Sequence, residues 1–305
     1  MSTDATSVEA SGLRTELLEL FRAGAGLALS DPRFEELARR VFAHSFASVP
    51  AYRAYCLARG RTPDDVPGWT EIPAVPTAAF KELPLRDETA TVERVFRTSG
   101  TTRGPERRGE HHVVDLALYR ASLRATFQAY LLPDETRPRC ISLMVPADRA
   151  ADSSLAFMIS DVLATFGDDD ALTPAGAEGI DYATLEARVA RAEDDQAPVL
   201  LLGTSAAFIH WLDRLADAGT TFALPAGSRL MDTGGYKGRG RNVAPGALRA
   251  AYRERLGIDG WACVNEYGMT ELLSQYYDTG LREHVRGEEP TGRKRGPGWL
   301  RSVAV

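Results

Sequence analysis

Short apolar runs alternate with stretches of helical spacing over residues 92–265, and this alternation is the strongest constraint on the fold. Strands are predicted at 92–96, 140–145, 199–202, 229–231 and 261–265. Helices are predicted at 115–130, 153–166, 205–218 and 245–256. Strands joined by helices pair in parallel, because each crossover returns the chain to the same end of the sheet. The pattern therefore predicts an α/β fold with a largely parallel sheet and helices on both faces.

The N-terminal part of the chain has a different pattern. Apolar residues recur at helical spacing from Leu13 to Phe21 and again from Phe34 to Phe46. A run of prolines then excludes long regular structure and favours an extended segment on the domain surface: Pro63, Pro67, Pro73, Pro76 and Pro84. We expect a helical cap over residues 1–62, packed on an α/β domain over residues 63–305.

Composition excludes several classes of function. The 305 residues are 44% hydrophobic and 26% charged, which suits a globular protein with a large core. A net charge of −6 argues against a nucleic-acid partner held by bulk electrostatics. No apolar run approaches the roughly 20 residues of a membrane span, and the N-terminus is not signal-like, so we expect a cytoplasmic protein. Cys56, Cys140 and Cys263 lack metal-ligand spacing and are expected to be reduced thiols.

A segment rich in hydroxyls and glycine follows the first predicted strand: Thr98, Ser99, Gly100, Thr101 and Thr102. Its backbone N–H groups and hydroxyls could surround phosphate oxygens, and nearby arginines could supply positive charge. The spacing is not that of a Walker A loop. The competing interpretation is a flexible surface loop composed of turn-forming residues.

Two further segments follow predicted strands. The first is Gly234, Gly235, Tyr236 and Lys237, where paired glycines allow close approach of the backbone to a flat ligand. A glycine turn with solvated charges is the alternative there. The second is Glu266, Tyr267, Gly268, Met269, Thr270 and Glu271. It combines an aromatic face, a hydroxyl and a carboxylate suited to Mg²⁺, although Thr270 could also cap a helix.

Together, and in this order, the three segments resemble the adenylate-forming enzymes, a superfamily that includes the acyl-CoA synthetases. The resemblance covers roughly residues 35–305. Within the superfamily the sequence is most similar to acyl-protein synthetases of the LuxE type, and residues 76–81 also resemble those enzymes. The phenylacetate-CoA ligases are the next most similar group. The resemblance implies that this chain corresponds to the large N-terminal domain of such an enzyme.

The resemblance implies a reaction and a set of roles. A carboxylic acid, with a fatty acid as the expected class, would attack ATP to form an acyl-adenylate and then pass its acyl group to a thiol. Ser99 to Thr102 would hold the pyrophosphate end, Tyr267 would flank the adenine, and Gly234 and Gly235 would lie against adenine or substrate. Thr270 would contact the α-phosphate and Glu271 would bind Mg²⁺, which makes these two the expected catalytic residues. A role for Lys237 follows from its charge alone.

The resemblance leaves the acceptor and the extent of the chain open. The thiol could belong to a protein cysteine, a carrier protein or coenzyme A. The superfamily's ribose-binding aspartate, hinge and small C-terminal domain are expected beyond Val305, so we expect that domain to be absent from this chain. A catalytically incomplete module that binds nucleotide or acyl-adenylate is the main alternative, and a phosphoryl-transfer enzyme is a weaker one.

Overall fold

The computed structural model describes residues 2–98, 108–169, 171–234 and 243–303. Its α-helices are α1 (Ser2–Arg22), α2 (Asp31–Ser48), α3 (Pro50–Leu57), α4 (Leu116–Leu131), α5 (Ser154–Phe166), α6 (Tyr182–Asp194), α7 (Ser205–Asp217), α8 (Pro245–Leu256) and α9 (Gly280–Val285). Its strands are β1 (Arg94–Arg97), β2 (Glu110–Val113), β3 (Arg139–Ser142), β4 (Ala175–Gly176), β5 (Gly179–Ile180), β6 (Val199–Thr204), β7 (Arg229–Thr233), β8 (Cys263–Gly268), β9 (Gln275–Asp278) and β10 (Lys294–Arg295). Two short 3₁₀ turns, Trp69–Glu71 and Thr77–Lys81, lie in the proline-rich segment.

A six-stranded sheet forms the centre of the fold, in the order β10-β9-β8-β7-β6-β3. β3, β6, β7 and β8 are parallel neighbours, and α7 and α8 connect β6 to β7 and β7 to β8. β9 and β10 continue the sheet in antiparallel fashion. The predicted α/β class with a largely parallel sheet is confirmed.

Both faces of the sheet are covered by helices. On one face, apolar residues of α6, α7 and α8, such as Leu185, Trp211 and Leu256, join Leu201 and Leu230 of the strands in one buried cluster. On the other face, the Tyr277 ring packs against Phe127 of α4, and its hydroxyl lies 3.9 Å from the sulfur of Met158 in α5. Because successive strand residues point to opposite faces, a strand covered on both sides needs apolar residues at consecutive positions, as β6 has from Val199 to Leu202.

Local signals define the helix ends that border the sheet. The Thr204 hydroxyl accepts a hydrogen bond from Ala207 N–H and caps α7, as its position after an apolar strand predicts. α8 ends at Gly257, which has a φ of 70° and so occupies the left-handed region that glycine favours. These signals set the start of α7 directly after β6 and the end of α8.

The chain divides into two compact units. The first comprises Met1–Ala125, Met269–Ser274 and Gly296–Val305, and the second comprises Thr126–Gly268 and Gln275–Arg295. The first contains α1 to α3, the proline-rich segment and the β1–β2 hairpin, and the second contains the six-stranded sheet. A division into a cap over 1–62 and a domain over 63–305 remains a prediction.

One sequence expectation is wrong in its details. The first predicted strand belongs to a separate antiparallel pair, β1–β2, and not to the main sheet. Strands this short carry no local information about their partner, since pairing is decided by contacts distant in sequence. Within the described residues, no helix is long and apolar enough to cross a membrane.

Candidate functional site

The segment that contains Thr270 and Glu271 is the connection of a β-hairpin. β8 continues to Gly268, the chain turns through residues 269–274, and β9 returns antiparallel, with Tyr267 opposite Tyr276. The Leu272 N–H donates to the Met269 carbonyl at 3.1 Å, and Leu273 has a positive φ of 50°. Thr270 therefore lies in a turn, and the alternative that it caps a helix is wrong.

Tyr267 presents an accessible aromatic ring at the end of β8. Its side chain is 54% exposed, and its ring centroid lies 6.3 Å from that of Tyr276. An exposed ring at a strand end can stack on a flat ligand, because every base or purine offers a π-face. This geometry is compatible with the predicted contact to adenine, which remains a prediction.

Glu266 is buried beneath this strand end. Its carboxylate accepts a hydrogen bond from the Thr233 hydroxyl of β7. Burial raises the pKa of Glu266 to about 7, against opposing effects of Thr233 and the positive charge of Lys294. A Cβ at position 268 would lie 2.4 Å from the Glu266 Oε1, so Gly268 makes room for this carboxyl group. Glu266 and Gly268 therefore have a role in packing, in addition to the ligand contacts predicted for them.

A row of polar side chains crosses the second unit at the carboxyl ends of β7 and β8. Asp232, Asn265, Asp278 and Lys294 occupy successive strands in one register, and we call them the polar row. The Asn265 side-chain amide donates to Asp232 at 2.7 Å. The Lys294 ammonium donates to the Asn265 carbonyl at 2.6 Å and to Asp278 at 2.8 Å. Charges held in this way fix the relative register of the strand ends.

Two helices add donors to the polar row. The Tyr252 hydroxyl of α8 lies 3.1 Å from Asp232 Oδ2, and the Ser205 hydroxyl of α7 lies 3.2 Å from the same oxygen. The Arg249 guanidinium donates to Asp278 at 2.6 Å. Burial raises the pKa of Asp232, while hydrogen bonds from Asn265, Tyr252 and Ser205 oppose the shift. The row therefore joins β7, β8, β9 and β10 to α7 and α8.

Gly234 begins the second glycine-containing segment directly after β7. Its φ of 81° is a conformation that other residues rarely adopt, and no atom lies within 4 Å of the position of a Cβ. The backbone turn, and not a close approach, is what requires glycine here. Gly235, Tyr236 and Lys237 lie outside the described residues.

Thr98 closes the base of the phosphate-type segment in the first unit. Its N–H donates to the Gly109 carbonyl, and its hydroxyl accepts from the Gly109 N–H, both at 2.9 Å. The Arg108 guanidinium donates to the Thr98 carbonyl at 2.6 Å. A Cβ at Gly109 would lie 3.2 Å from the Thr98 methyl group and 3.4 Å from Lys81, so the base is closely packed. Ser99, Gly100, Thr101 and Thr102 lie outside the described residues.

His111 connects this hairpin to the turn that carries Thr270 and Glu271. Its Nδ1 lies 2.7 Å from the Thr270 carbonyl oxygen, which can only accept, so Nδ1 carries the proton. Burial lowers the pKa of His111 despite the opposing effects of the Thr270 carbonyl and the Glu271 charge. The neutral ring is therefore favoured, and it packs 5.5 Å from the Phe80 ring. Two segments about 160 residues apart in sequence meet at this one side chain.

The sequence assigns no role to His111 or to Asp232, which directly precedes the second glycine-containing segment. His111 belongs to no recognisable motif, and its role here is a hydrogen bond to a distant carbonyl. Asp232 is the next-to-last residue of β7, a strand that is buried throughout, and a single acidic residue at such a position is a signal that could have identified it. Both roles depend on contacts between segments that are distant in sequence.

The described residues contain no cluster of three or more histidine, cysteine, aspartate or glutamate side chains able to hold a metal ion. Glu271 alone would supply one hard oxygen ligand, and Mg²⁺ commonly binds through one or two carboxylates with substrate phosphates and water. The donor set thus fits a magnesium–nucleotide complex better than a resident metal. The three thiols are buried, and burial raises the pKa of Cys140 to about 12, which makes it a poor nucleophile.

A search with protein-family models and a search of curated proteins gave no match. Among solved structures, the α/β fold matches about half of an enzyme described in a postadenylation state. That enzyme is 2-hydroxyisobutyryl-CoA ligase. Its structure in the postadenylation state with R3-HIB-AMP has a TM-score of 0.57 and 16% identity, covering 80% of this chain and 50% of that chain. A second, with 2-HIB-AMP and CoA in the thioesterification state, has a TM-score of 0.56 and 17% identity, covering 82% and 52%.

At 16% and 17% identity, these two matches show a shared fold. The chain spans about half the length of these two solved chains.

Proposed function

We propose that this chain contributes the adenylate-forming part of an acid–thiol ligase, which uses ATP to activate a carboxylic acid as an acyl-adenylate. The observation that carries the proposal is the His111–Thr270 contact. It joins the hairpin that bears the predicted phosphate segment to the turn that bears Thr270 and Glu271. A nucleotide with its phosphates needs both groups of side chains near one another, and a contact between described residues next to each group, within the first unit, supports that arrangement.

The residue types suit the chemistry of adenylation. Attack of a carboxylate on the α-phosphorus brings two anions together and releases a third, so the site must supply donors and positive charge. We assign Ser99, Gly100, Thr101 and Thr102 to the departing pyrophosphate and the Thr270 hydroxyl to the α-phosphate. The Glu271 carboxylate would hold Mg²⁺, which neutralises phosphate charge when bound. Neutral His111 would hold the turn in place by its bond to the Thr270 carbonyl.

The proposal also concerns the thiol that accepts the acyl group. Coenzyme A is favoured as the thiol acceptor, since the solved ligase with this fold is described in complex with CoA. A protein cysteine or a carrier protein remains the alternative, on the likeness of residues 76–81 to the LuxE-type enzymes. The buried thiols Cys56, Cys140 and Cys263 are poorly placed to accept the acyl group themselves.

The test is exchange of labelled pyrophosphate into ATP, measured with a panel of fatty and aromatic acids. The protein is expected to show exchange that depends on both the acid and Mg²⁺. Glu271→Gln removes the metal-binding carboxylate and should lower exchange by about a hundredfold or more. Glu254→Gln, an exposed position on α8, is the matched control and should leave it unchanged.

Three results would distinguish the alternatives. No exchange with any acid would contradict the proposal. Calorimetry that detects Mg·ATP binding without exchange would favour a nucleotide-binding module. Equal exchange by Glu271→Gln and the unmodified protein would remove Glu271 from the site while leaving the reaction in place.

A further inference from the structure

Ser205, the first residue of α7, connects this helix to the end of β7. Its hydroxyl lies 3.2 Å from Asp232 Oδ2 and 3.1 Å from the Gly234 carbonyl oxygen. A carbonyl oxygen can only accept, so the Ser205 hydroxyl is the donor to Gly234. Ser205 is 4% exposed, and its hydrogen bonds are therefore shielded from water. One buried hydroxyl thus holds the point at which the backbone leaves β7.

The two partners of Ser205 depend on it to different degrees. Asp232 has other donors, because the Tyr252 hydroxyl lies 3.1 Å from Oδ2 and the Asn265 amide donates to Oδ1 at 2.7 Å. Among the residues that the structure describes, Ser205 is the one donor to the Gly234 carbonyl. Removing the Ser205 hydroxyl would leave Asp232 with these two donors and would free the Gly234 carbonyl from its anchor.

Gly234 is anchored through its carbonyl and open on its Cβ side. The residue is exposed, and no atom lies within 4 Å of the position that a Cβ would take. Thr233 of β7 pairs with Glu266 of β8. The residues that follow this pair, Gly234 and Tyr267, therefore lie side by side at the ends of neighbouring parallel strands, whose spacing is about 4.8 Å. An open backbone beside a tyrosine ring that is 54% exposed suits a flat ring system.

We propose that Ser205 is a positioning residue for the nucleotide, because it holds the Gly234 backbone in place against the flat base of ATP. The inference rests on the proposed function, which supplies the nucleotide as the ligand. Since a peptide group is planar, fixing its carbonyl also fixes the direction of the backbone that leaves the strand. A surface ordered in advance binds the substrate and the transition state equally well. Loss of the Ser205 hydroxyl should therefore raise KM for ATP and leave kcat nearly unchanged.

The experiment is pyrophosphate exchange at a series of ATP concentrations, with the acid and Mg²⁺ at saturation. Ser205→Ala should raise KM for ATP about fivefold, the effect of one neutral hydrogen bond, and should change the maximal rate by less than about twofold. Ser205→Thr and Ser205→Val introduce side chains of nearly the same shape, but only the first keeps a hydroxyl. Ser205→Thr should therefore keep a low KM, and Ser205→Val should not.

Ser228 provides the matched control at the other end of the same strand. It directly precedes β7, is 6% exposed, and accepts a hydrogen bond from the Val199 N–H at 3.2 Å. Ser228→Ala should lower stability in urea much as Ser205→Ala does, without changing KM for ATP. An unchanged KM in Ser205→Ala would overturn the proposal. Equal rises in KM for the two alanine variants, or for Ser205→Thr and Ser205→Val, would also overturn it.

Failure of the proposed function gives a different result. If the unmodified protein shows no exchange, the adenylation proposal fails, and calorimetry with Mg·ATP then tests Ser205 on its own. Binding about fivefold weaker in Ser205→Ala than in the unmodified protein and in Ser228→Ala would support the positioning role without the reaction. Equal binding by all three proteins, or no measurable binding by the unmodified one, would overturn it.

Discussion

The polar row of the second unit and the turn 269–274 of the first carry similar side chains but hold them in opposite ways. In the polar row, Asp232 and Asp278 are buried and are held by side-chain donors from neighbouring elements. In the turn, Glu271 is only half-buried and forms no hydrogen bond or ion pair with any described residue. A buried carboxylate without partners would be costly, whereas a half-exposed one retains water and stays available.

This difference separates residues whose charges hold the strands and helices in place from residues that are available to bind a ligand. Charges satisfied by the protein itself fix strands and helices in register. An accessible carboxylate next to a fixed backbone is free to bind a metal or a ligand. Substitutions in the polar row and its surroundings should therefore change stability, and substitutions in the turn should change activity.

The largest expected effect is at Arg229, the most fully paired charge of the second unit. It is 2% exposed and donates to both oxygens of Asp134, at 2.9 and 2.7 Å. Arg229→Ala should lower the free energy of unfolding by about 4 kcal/mol, because it leaves a partly buried carboxylate without a partner. Urea denaturation measures this. Arg253→Ala, an exposed control, should change it by less than about 0.5 kcal/mol.

The same pair predicts a dependence on acid. Burial alone would raise the pKa of Asp134, but Arg229 outweighs it and lowers the pKa from 3.8 to about 2. This contribution to stability is present above the unfolded pKa and is lost as pH falls from 3.8 towards 2. The stability of Arg229→Ala should therefore fall less steeply between pH 3.8 and 2 than that of the unmodified protein. If both proteins lose stability equally over this range, Arg229 does not lower the pKa of Asp134.

Asp232→Ala should have the next largest effect, about 3 kcal/mol, because it removes a buried acceptor that the side chains of Asn265, Tyr252 and Ser205 share. Urea denaturation again measures the loss. Asp217→Ala, at an exposed position near the end of α7, serves as the control. If both variants have the same stability, the polar row does not support the sheet.

Glu266→Gln should stabilise the protein at neutral and alkaline pH. The folded protein keeps the Glu266 carboxyl protonated up to a pKa of about 7, whereas the unfolded chain loses that proton near 4.5. Stability must therefore fall as pH rises between these values. Because glutamine cannot ionise, the variant should lose this fall and gain about 2 kcal/mol at about pH 8. Urea denaturation at a series of pH values measures this. If the free energy of unfolding depended on pH in the same way for both proteins, the burial argument would be contradicted.

His111→Phe should have the smallest effect on stability and a clear effect on activity. It removes the bond to the Thr270 carbonyl and keeps a ring beside Phe80, so the free energy of unfolding should fall by only about 1 kcal/mol. Pyrophosphate exchange should fall about tenfold, since the turn that carries Glu271 is no longer fixed. A loss of stability without a loss of exchange would place His111 with the polar row.

The α/β class and most helices of the second unit were predictable, because their apolar periodicity is local. The helix over 205–217 and its cap at Thr204 are examples. The hairpin that contains Thr270 was not, since β9 is only four residues long and depends on Tyr277 packing between Phe127 and Tyr130. The His111 bond was equally unpredictable, because it joins segments about 160 residues apart.

The most direct test of the proposed adenylation follows the oxygen atoms of the acid. The protein is incubated with ATP, Mg²⁺ and a carboxylic acid labelled with heavy oxygen in its carboxylate, with a thiol acceptor present. Attack on the α-phosphorus transfers one labelled oxygen to the phosphate of AMP, which mass spectrometry detects. Label in AMP is the predicted result. Label in inorganic phosphate with release of ADP would instead show attack on the γ-phosphorus and would contradict the account.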